Sequence, residues 1–500
     1  IYSIASATDG GYLLGGYSYS GAGGDKSELS QGSSDYWVVK IDGQGNKVWD
    51  RRFGGSSAES LLFGLAATTN GGYLLGGYSL SSASGDRSQA SQGEDDYWAV
   101  MIDGNGNKVW DKRFGGNLED LCIATALTPD GGYVLGGYSW SGVSGDKSEA
   151  SRGLIDYWVV KINGSGGKVW DKRFGGSGYD YLYDIVATSD GGYVLGGYSE
   201  SGVSGDKSES SRGGYDYWVV KIDGSGNKLW DKRFGGSGDD YFYALVATAD
   251  GGYVLGGVSS SGSDGDKSEP SQGQYDFWLV KINGDGNKVW DKRFGGINYD
   301  AMQALVATPD GGYLAGGYSL SVAGGDKSEA QQGPLDFWVV KIDGGGNKIW
   351  DKRFGGTSLN NLLALAVTPD GGYLLGGYSD SGADGDKTEN SRGLEDFWVV
   401  HMDIDRDCDG IMDGAEARAD TDPTNAVSYL AVTALNRGPG QVQVGWQGGA
   451  AVTQVIERTA TLLNPAWVPV YTNPPPTAIT NLLSINETNP AAAYRVRVPR

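Results

Sequence analysis

Between residues 1 and 402 apolar and polar positions alternate in short runs, broken by glycine-rich turns, and nowhere follow the 3.6-residue period of a helix. In one stretch the runs are YLYDIVAT (181–188), GYVLGGYS (192–199), DYWVVKI (216–222) and NKLWDKRF (227–234). They predict four strands, termed A, B, C and D. The A–B link is a tight Ser-Asp-Gly-Gly turn at Ser189 to Gly192, and the C–D link, Asp223 to Gly226, is a second glycine-rich hairpin. Between B and C runs a polar segment of about 16 residues, which reads as a surface loop.

This unit recurs. The tryptophan of strand C stands at Trp37, Trp98, Trp158, Trp218, Trp278, Trp338 and Trp398, spaced by 61 once and by 60 thereafter. A second tryptophan, in strand D, falls at Trp49, Trp110, Trp170, Trp230, Trp290 and Trp350. Such a period points to a propeller, a solenoid or an array. Seven copies of four antiparallel strands predict an all-β fold, a seven-bladed β-propeller of 60-residue repeats over residues 1–402. One blade cannot cover both of its faces, so the tryptophans are expected to seal blade against blade. Each removes about 150–250 Å² from water, an upper bound of roughly 4–6 kcal/mol. The seventh copy lacks a D run and the first begins inside A. A D-like strand upstream of Ile1 is expected to complete the last blade; otherwise that blade keeps an exposed edge.

The repeat D-[YF]-W-V-V-K-[IL]-[DN], G-N-K-[VLI]-W-D-[KR]-R-F-G-G and D-G-G-Y-[VL]-L-G-G-Y-S, with G-D-K-[ST]-E in its loop, resembles the tandem propeller repeats of secreted bacterial surface proteins. It is also similar to quinoprotein-type blades. That resemblance implies a fold and a location outside the cell, and carries little about activity.

Residues 403–427 change character. Asp405, Asp407, Asp409, Gly410, Asp413 and Glu416 fit D-x-D-x-D-G-x5-E, the pattern of a calcium loop. Alternate carboxylates at 405, 407 and 409 converge on one ion, Gly410 permits the bend, the carbonyl of Ile411 faces inward, Asp413 contributes directly or through water, and Glu416 chelates with both oxygens. The expected cofactor is calcium. The segment resembles the thrombospondin type 3-like repeats that link domains of extracellular proteins, and it implies calcium-rich surroundings. Residues 428–500 show short alternating runs separated by Gly, Pro and Asn, as in a small β-sandwich, with Trp446 and Trp467 as core candidates. They resemble a fibronectin III-like module.

Charge and chemistry narrow the function. Lys and Arg number 40 against 62 Asp and Glu, a net charge of −22, which disfavours nucleic acid and anionic membrane as partners. No run of 18 apolar residues offers a membrane-spanning helix. One histidine, His401, and two cysteines, Cys122 and Cys408, supply no triad and no histidine-rich metal centre. Repeated loop acids, Asp146/Glu149 and Asp206/Glu209 among them, suggest either loop bracing or a set of cation or sugar sites. A second row, Glu59, Asp120, Asp180, Asp240, Asp300 and Asn360, suggests turn capping or a cation ring at a channel mouth. The position after G-G-Y-S holds Tyr19, Leu80, Trp140, Glu200, Leu320 and Asp380, the variation expected either of drift on a solvated edge or of a binding rim with Trp140 as a stacking residue. The expectation is an exported, non-enzymatic binding or scaffold protein of the cell surface or extracellular matrix, with protein or polysaccharide as partner. The alternatives are a structural subunit that self-associates through an unclosed blade or the C-terminal module, and a polysaccharide-active hydrolase or lyase.

Overall fold

The computed structural model describes residues 1–403 and, beyond them, 431–438, 441–447, 454–460, 467–473, 480–486 and 492–497. All described secondary structure is β, and no described helix is long and apolar enough to cross a membrane. The chain divides into two compact units, one of residues 1–369 and 374–401, the other of 370–373 and 402–500.

In the first unit each repeat forms one antiparallel sheet in simple A-B-C-D order. Sheet 4, for example, comprises Asp180–Ala187, Tyr193–Ser199, Asp216–Ile222 and Lys228–Phe234. Sheets 1 to 6 have four strands, and sheet 7 has three: Asn360–Val367, Tyr373–Ser379 and Asp396–Met402. These are the repeated sheets of a β-propeller. Strand C is buried from end to end in sheets 2 to 6, whereas in sheet 7 it is partly exposed. Among the described residues no strand D lies beside it.

One contact recurs at every seam. The aromatic residue before the strand C tryptophan packs on the tryptophan of the following sheet, with ring centroids 4.8 Å apart for Tyr157 and Trp218 and 4.9 Å for Tyr217 and Trp278. Phe337 meets Trp398 at 4.6 Å, and Phe397 of sheet 7 meets Trp37 of sheet 1, again at 4.6 Å. The last sheet thus joins the first by the contact that joins all the others. Five of these indoles, from Trp98 to Trp338, are completely buried. The sequence expectation that tryptophans seal the blades holds, with a second half supplied by the Tyr or Phe beside them.

The strand D tryptophan does different work. Gly226 in the C–D turn of sheet 4 has φ +82°, a backbone conformation that glycine adopts without strain. A β-carbon on it would lie 3.4 Å from Trp170 of sheet 3. Bare glycine therefore serves both the turn and the close approach of the neighbouring indole.

In the second unit, two three-stranded sheets, ordered Ala431–Gly438, Gln441–Gln447, Thr480–Asn486 and Val468–Asn473, Gln454–Thr459, Ala493–Arg497, share a core. Val442, Val444, Trp446 and Ile456 are buried there, and the Trp446 indole donates to Gln454 at 2.7 Å. Trp446 is a core residue as expected. Trp467 instead lies against the Arg495 guanidinium, 4.4 Å from ring centroid to charge. The calcium-loop residues Asp405, Asp407, Asp409, Ile411, Asp413 and Glu416 lie outside the described residues.

Candidate binding face

The repeated acids have local partners. Asp206 in the loop of sheet 4 accepts from Arg173 of sheet 3 at 2.9 Å, and Asp266 accepts from Arg233 at 2.7 Å. The same pairing joins Arg52 to Asp86, Arg113 to Asp146, Arg293 to Asp326 and Arg353 to Asp386. These aspartates are clasps between neighbouring sheets, charge-assisted and bound to the arginine of the preceding repeat. Among the described residues no group of three acidic, His or Cys side chains is arranged to hold a metal ion.

The second acidic row does not reach a channel mouth. Asp120, Asp180, Asp240 and Asp300 are fully buried. Asp180 takes the Gly176 amide at 2.7 Å and the Ser201 hydroxyl at 3.0 Å, so it caps the turn that follows strand D. Burial pushes Asp180 up to about 6 and Asp216, which lies beside Asp240, up to about 7. In the seventh copy Asn360 replaces the acid and donates to Asp336 at 3.3 Å.

What the sequence reading found only in part lies at the opposite end of the argument, where the copies differ. Three variable positions meet at the strand ends of one rim. The residue before strand C (Ser34, Asp95, Ile155, Tyr215, Tyr275, Leu335, Glu395) runs beside the segment before the next strand A (Ala58, Glu119, Tyr179, Asp239, Tyr299, Leu359), with parallel bridges from Ser34 to Ala58, Ile155 to Tyr179, Tyr275 to Tyr299 and Leu335 to Leu359. The carbonyl of that second residue accepts from the residue after strand B: Glu119 from Trp140 at 3.0 Å, Tyr179 from Glu200 at 3.1 Å. Chain positions some 20 residues apart are thereby collected into adjacent triplets.

Across sheets 3 to 6 the triplets and their neighbours form a continuous aromatic surface. Trp140 meets Tyr138 edge-on at 5.5 Å, and Tyr138 meets Tyr181 at 5.0 Å. Tyr198 stands at the centre, 5.1 Å from Tyr181, 5.3 Å from Tyr215 and 5.1 Å from Tyr241. The surface continues through Tyr275 to Tyr299, 5.3 Å apart. These rings are all half-buried, so part of each faces solvent. Carboxylates border them. Tyr275 donates to Asp239 at 3.3 Å, and burial, with Glu119 nearby, pushes Asp95 up to about 6. None of the variable positions holds Lys or Arg.

One further departure lies on strand A. Asp184 occupies a site that is Ser3, Gly64, Ala124, Ala244, Ala304 or Ala364 in the other copies, at a bulge where the A–B register shifts. It accepts the Leu245 amide of the next sheet at 2.8 Å and its own neighbour Ile185 at 2.8 Å, and burial pushes it up to about 7. Periodic reading treats such a residue as noise; being the sole acid in its row was the available signal. His401 ends strand C of sheet 7, at the exposed strand end expected of it, and Cys122 is buried and free.

No family model matches the chain. A curated relative, the regulatory protein FlaEY of Caulobacter vibrioides, is 26% identical over 322 residues, which cover 57% of this chain and 32% of the relative. The chain spans about a third of that relative's length. Among solved structures it is similar to BBS1N in its complex with ARL6DN, with a TM-score of 0.40, 11% identity and coverage of 75% of this chain and 88% of that one. It is also similar to the Synechocystis apocarotenoid oxygenase (TM-score 0.38, 12% identity, 73% of each chain) and to an ACO/RPE65 chimera (TM-score 0.37, 12% identity, 73% of each). These likenesses concern the fold alone. They do correct one expectation. The sequence reading took a repeated wheel as grounds for a protein without enzymatic activity, yet an oxygenase stands among the similar folds. A repeated fold therefore does not by itself decide against catalysis.

Proposed function

We propose that this chain is a binding or scaffold protein, built on a closed seven-bladed propeller, that engages a protein or polysaccharide through the aromatic rim of sheets 3 to 6. One observation carries the reading: three positions that vary between copies are brought together on one rim, and across sheets 3 to 6 that rim is aromatic, bordered by carboxylates and holds no Lys or Arg at the variable positions. Half-exposed Tyr and Trp rings offer apolar faces at little entropic cost, and hydroxyls and carboxylates beside them fix orientation. The ligand suited to it is uncharged or cationic, since an anion would meet Glu119, Glu200 and Asp239 unpaired. Export to the cell surface or matrix is part of the proposal and rests on the calcium-loop pattern at residues 405–416.

The test is to array neutral and acidic glycans and extracellular proteins against the whole chain, then repeat with Trp140→Ala, Tyr215→Ala and Tyr275→Ala. Loss of roughly 10-fold or more in affinity at two of the three, with unchanged melting, is the expected result. A ligand indifferent to all three substitutions would place binding elsewhere. Calcium is proposed as the cofactor of Asp405, Asp407, Asp409, Ile411, Asp413 and Glu416. Chelation is expected to raise protease cleavage between 403 and 424 and leave the repeats intact; cleavage unchanged by chelator counts against the metal.

A further inference from the structure

We propose that the aromatic rim of sheets 3 to 6 takes arginine side chains of a partner protein, each laid on a tyrosine face and paired with a carboxylate at its edge. The inference rests on the binding role given above to this rim and narrows the occupant to a basic polypeptide segment.

The rings follow one another along the strand ends. Tyr179 and Tyr181 stack at 6.1 Å with planes 5° apart, Tyr181 stands 6.3 Å from Tyr215, Tyr215 5.4 Å from Tyr241, and Tyr241 6.0 Å from Tyr275. All five are half-buried. A flat group slotted between two rings needs about 7–8 Å, twice the usual contact distance. The ligand therefore lies over this arc and not within it.

Carboxylates are set into the arc. Asp239 accepts the Tyr275 phenol at 3.3 Å and the Tyr215 amide at 3.2 Å. Burial, then Glu200, Tyr179 and Asp239, push the Tyr215 phenol up. At the Trp140 end, burial and Glu94 push Glu119 up in the same way. Among the described residues Glu119, Glu200 and Asp239 enter no ion pair, whereas the loop acids Asp206 and Asp266 are each held by an arginine of the preceding sheet. A guanidinium brought by a partner completes on the rim what Arg173 and Arg233 complete in the loops.

Arginine suits these groups better than lysine, because its planar fork stacks on a ring and meets a carboxylate with two donors. The second unit shows the combination complete: the Arg495 guanidinium lies 4.4 Å from the Trp467 ring centroid while its Nε donates to Glu457 at 2.8 Å. On the rim the ring and the carboxylate are present and the cation is to be supplied. The acids also succeed one another, Glu119 before strand A of sheet 3, Glu200 after strand B of sheet 4 and Asp239 before strand A of sheet 5. A chain with arginines at intervals meets them in turn, where a single small cation meets one. A neutral polysaccharide would use the ring faces and leave all three charges uncompensated.

The experiment titrates the acetylated and amidated peptide SRGSRGSRG into the 500-residue chain by calorimetry. The same peptide with citrulline for arginine, alike in shape and uncharged, is expected to bind at least about 30-fold more weakly, and the lysine peptide about fivefold more weakly. Glu200→Gln and Asp239→Asn should each weaken the arginine peptide about fivefold with unchanged melting. Asp285→Asn, in the C–D turn at the other end of sheet 5, removes the same charge and should change nothing. No binding at millimolar peptide, equal binding of the citrulline peptide, or equal losses at Asp239 and Asp285 would each overturn the arginine assignment. If cellohexaose then binds and Trp140→Ala weakens it, the rim remains the binding face with a different occupant. An arginine peptide that binds and is indifferent to Tyr215→Ala and Tyr275→Ala would remove the rim itself.

Discussion

The seams and the rim are made from the same residue types and behave in opposite ways. At all seven seams an aromatic ring meets an indole at 4.6 to 4.9 Å, and the interval never drifts. On the rim, aromatic pairs range from 5.0 Å between Tyr138 and Tyr181 to 6.3 Å between Tyr181 and Tyr215; Tyr138 belongs to the repeated G-G-Y-S, but the Tyr215 position holds Ser, Asp, Ile, Leu or Glu in other copies and the Tyr181 position Leu, Ala or Asn. Where two sheets must exclude water, volume and angle are both fixed, because a cavity or an overlap costs free energy directly. Where a ring borders solvent, no neighbour enforces it. Aromatic residues in the seams belong to folding, and those on the rim are the ones the proposed binding role calls on.

The sharpest way to break this distinction is to truncate one of each. Trp218→Ala is expected to lower stability by about 3–5 kcal/mol in denaturant titration, since a fully buried indole leaves a cavity. Trp140→Ala, on the rim, should cost under about 1 kcal/mol. Equal losses would mean that the rim is a seam in disguise. A smaller effect comes with pH, where two aspartates carry opposite signs. For Asp231, burial alone would raise the pKa, but Lys228, the Ser208 amide and the Trp218 indole hold it below the usual carboxylate range. Its contribution is present above the unfolded value near 3.8 and disappears as pH falls through the folded one. Asp184, raised by burial to about 7, binds a proton in the folded state that the unfolded state has already lost. Its favourable term is complete below 3.8 and is lost as pH rises through about 7. Thermal melts between pH 4 and 8 should therefore show the parent losing stability relative to Asp184→Asn as pH rises. Parallel curves would remove Asp184 from the argument.

Much of the fold was legible because the repeat writes its packing into the chain. A tryptophan every 60 residues predicted sheet against sheet, and alternation predicted four strands. The rim was barely legible. Trp140 stood out at one variable position, but Tyr179, Tyr215 and Tyr275 sit in other segments, and only the loop backbone brings them together. The acids left two readings open. Asp180 and its counterparts suggested turn capping or a cation ring, and the fold bears out the capping, turning them inward onto glycine amides and serine hydroxyls. Sequence period reveals that a residue matters without revealing which way it faces.

The seam tyrosines carry a last consequence. Tyr36, Tyr97, Tyr157 and Tyr217 each donate from the phenol to the tryptophan carbonyl of the following sheet, at 2.8 to 3.0 Å. Phe277, Phe337 and Phe397 occupy the same place in the last three sheets and have no hydroxyl to give. The circumference is accordingly divided into a bolted arc and an unbolted one, and the unbolted arc includes the joint where the array meets its own beginning. Under heat or tension the three seams without the phenol bond, each lacking a contribution of about 1 kcal/mol, are expected to part before the other four.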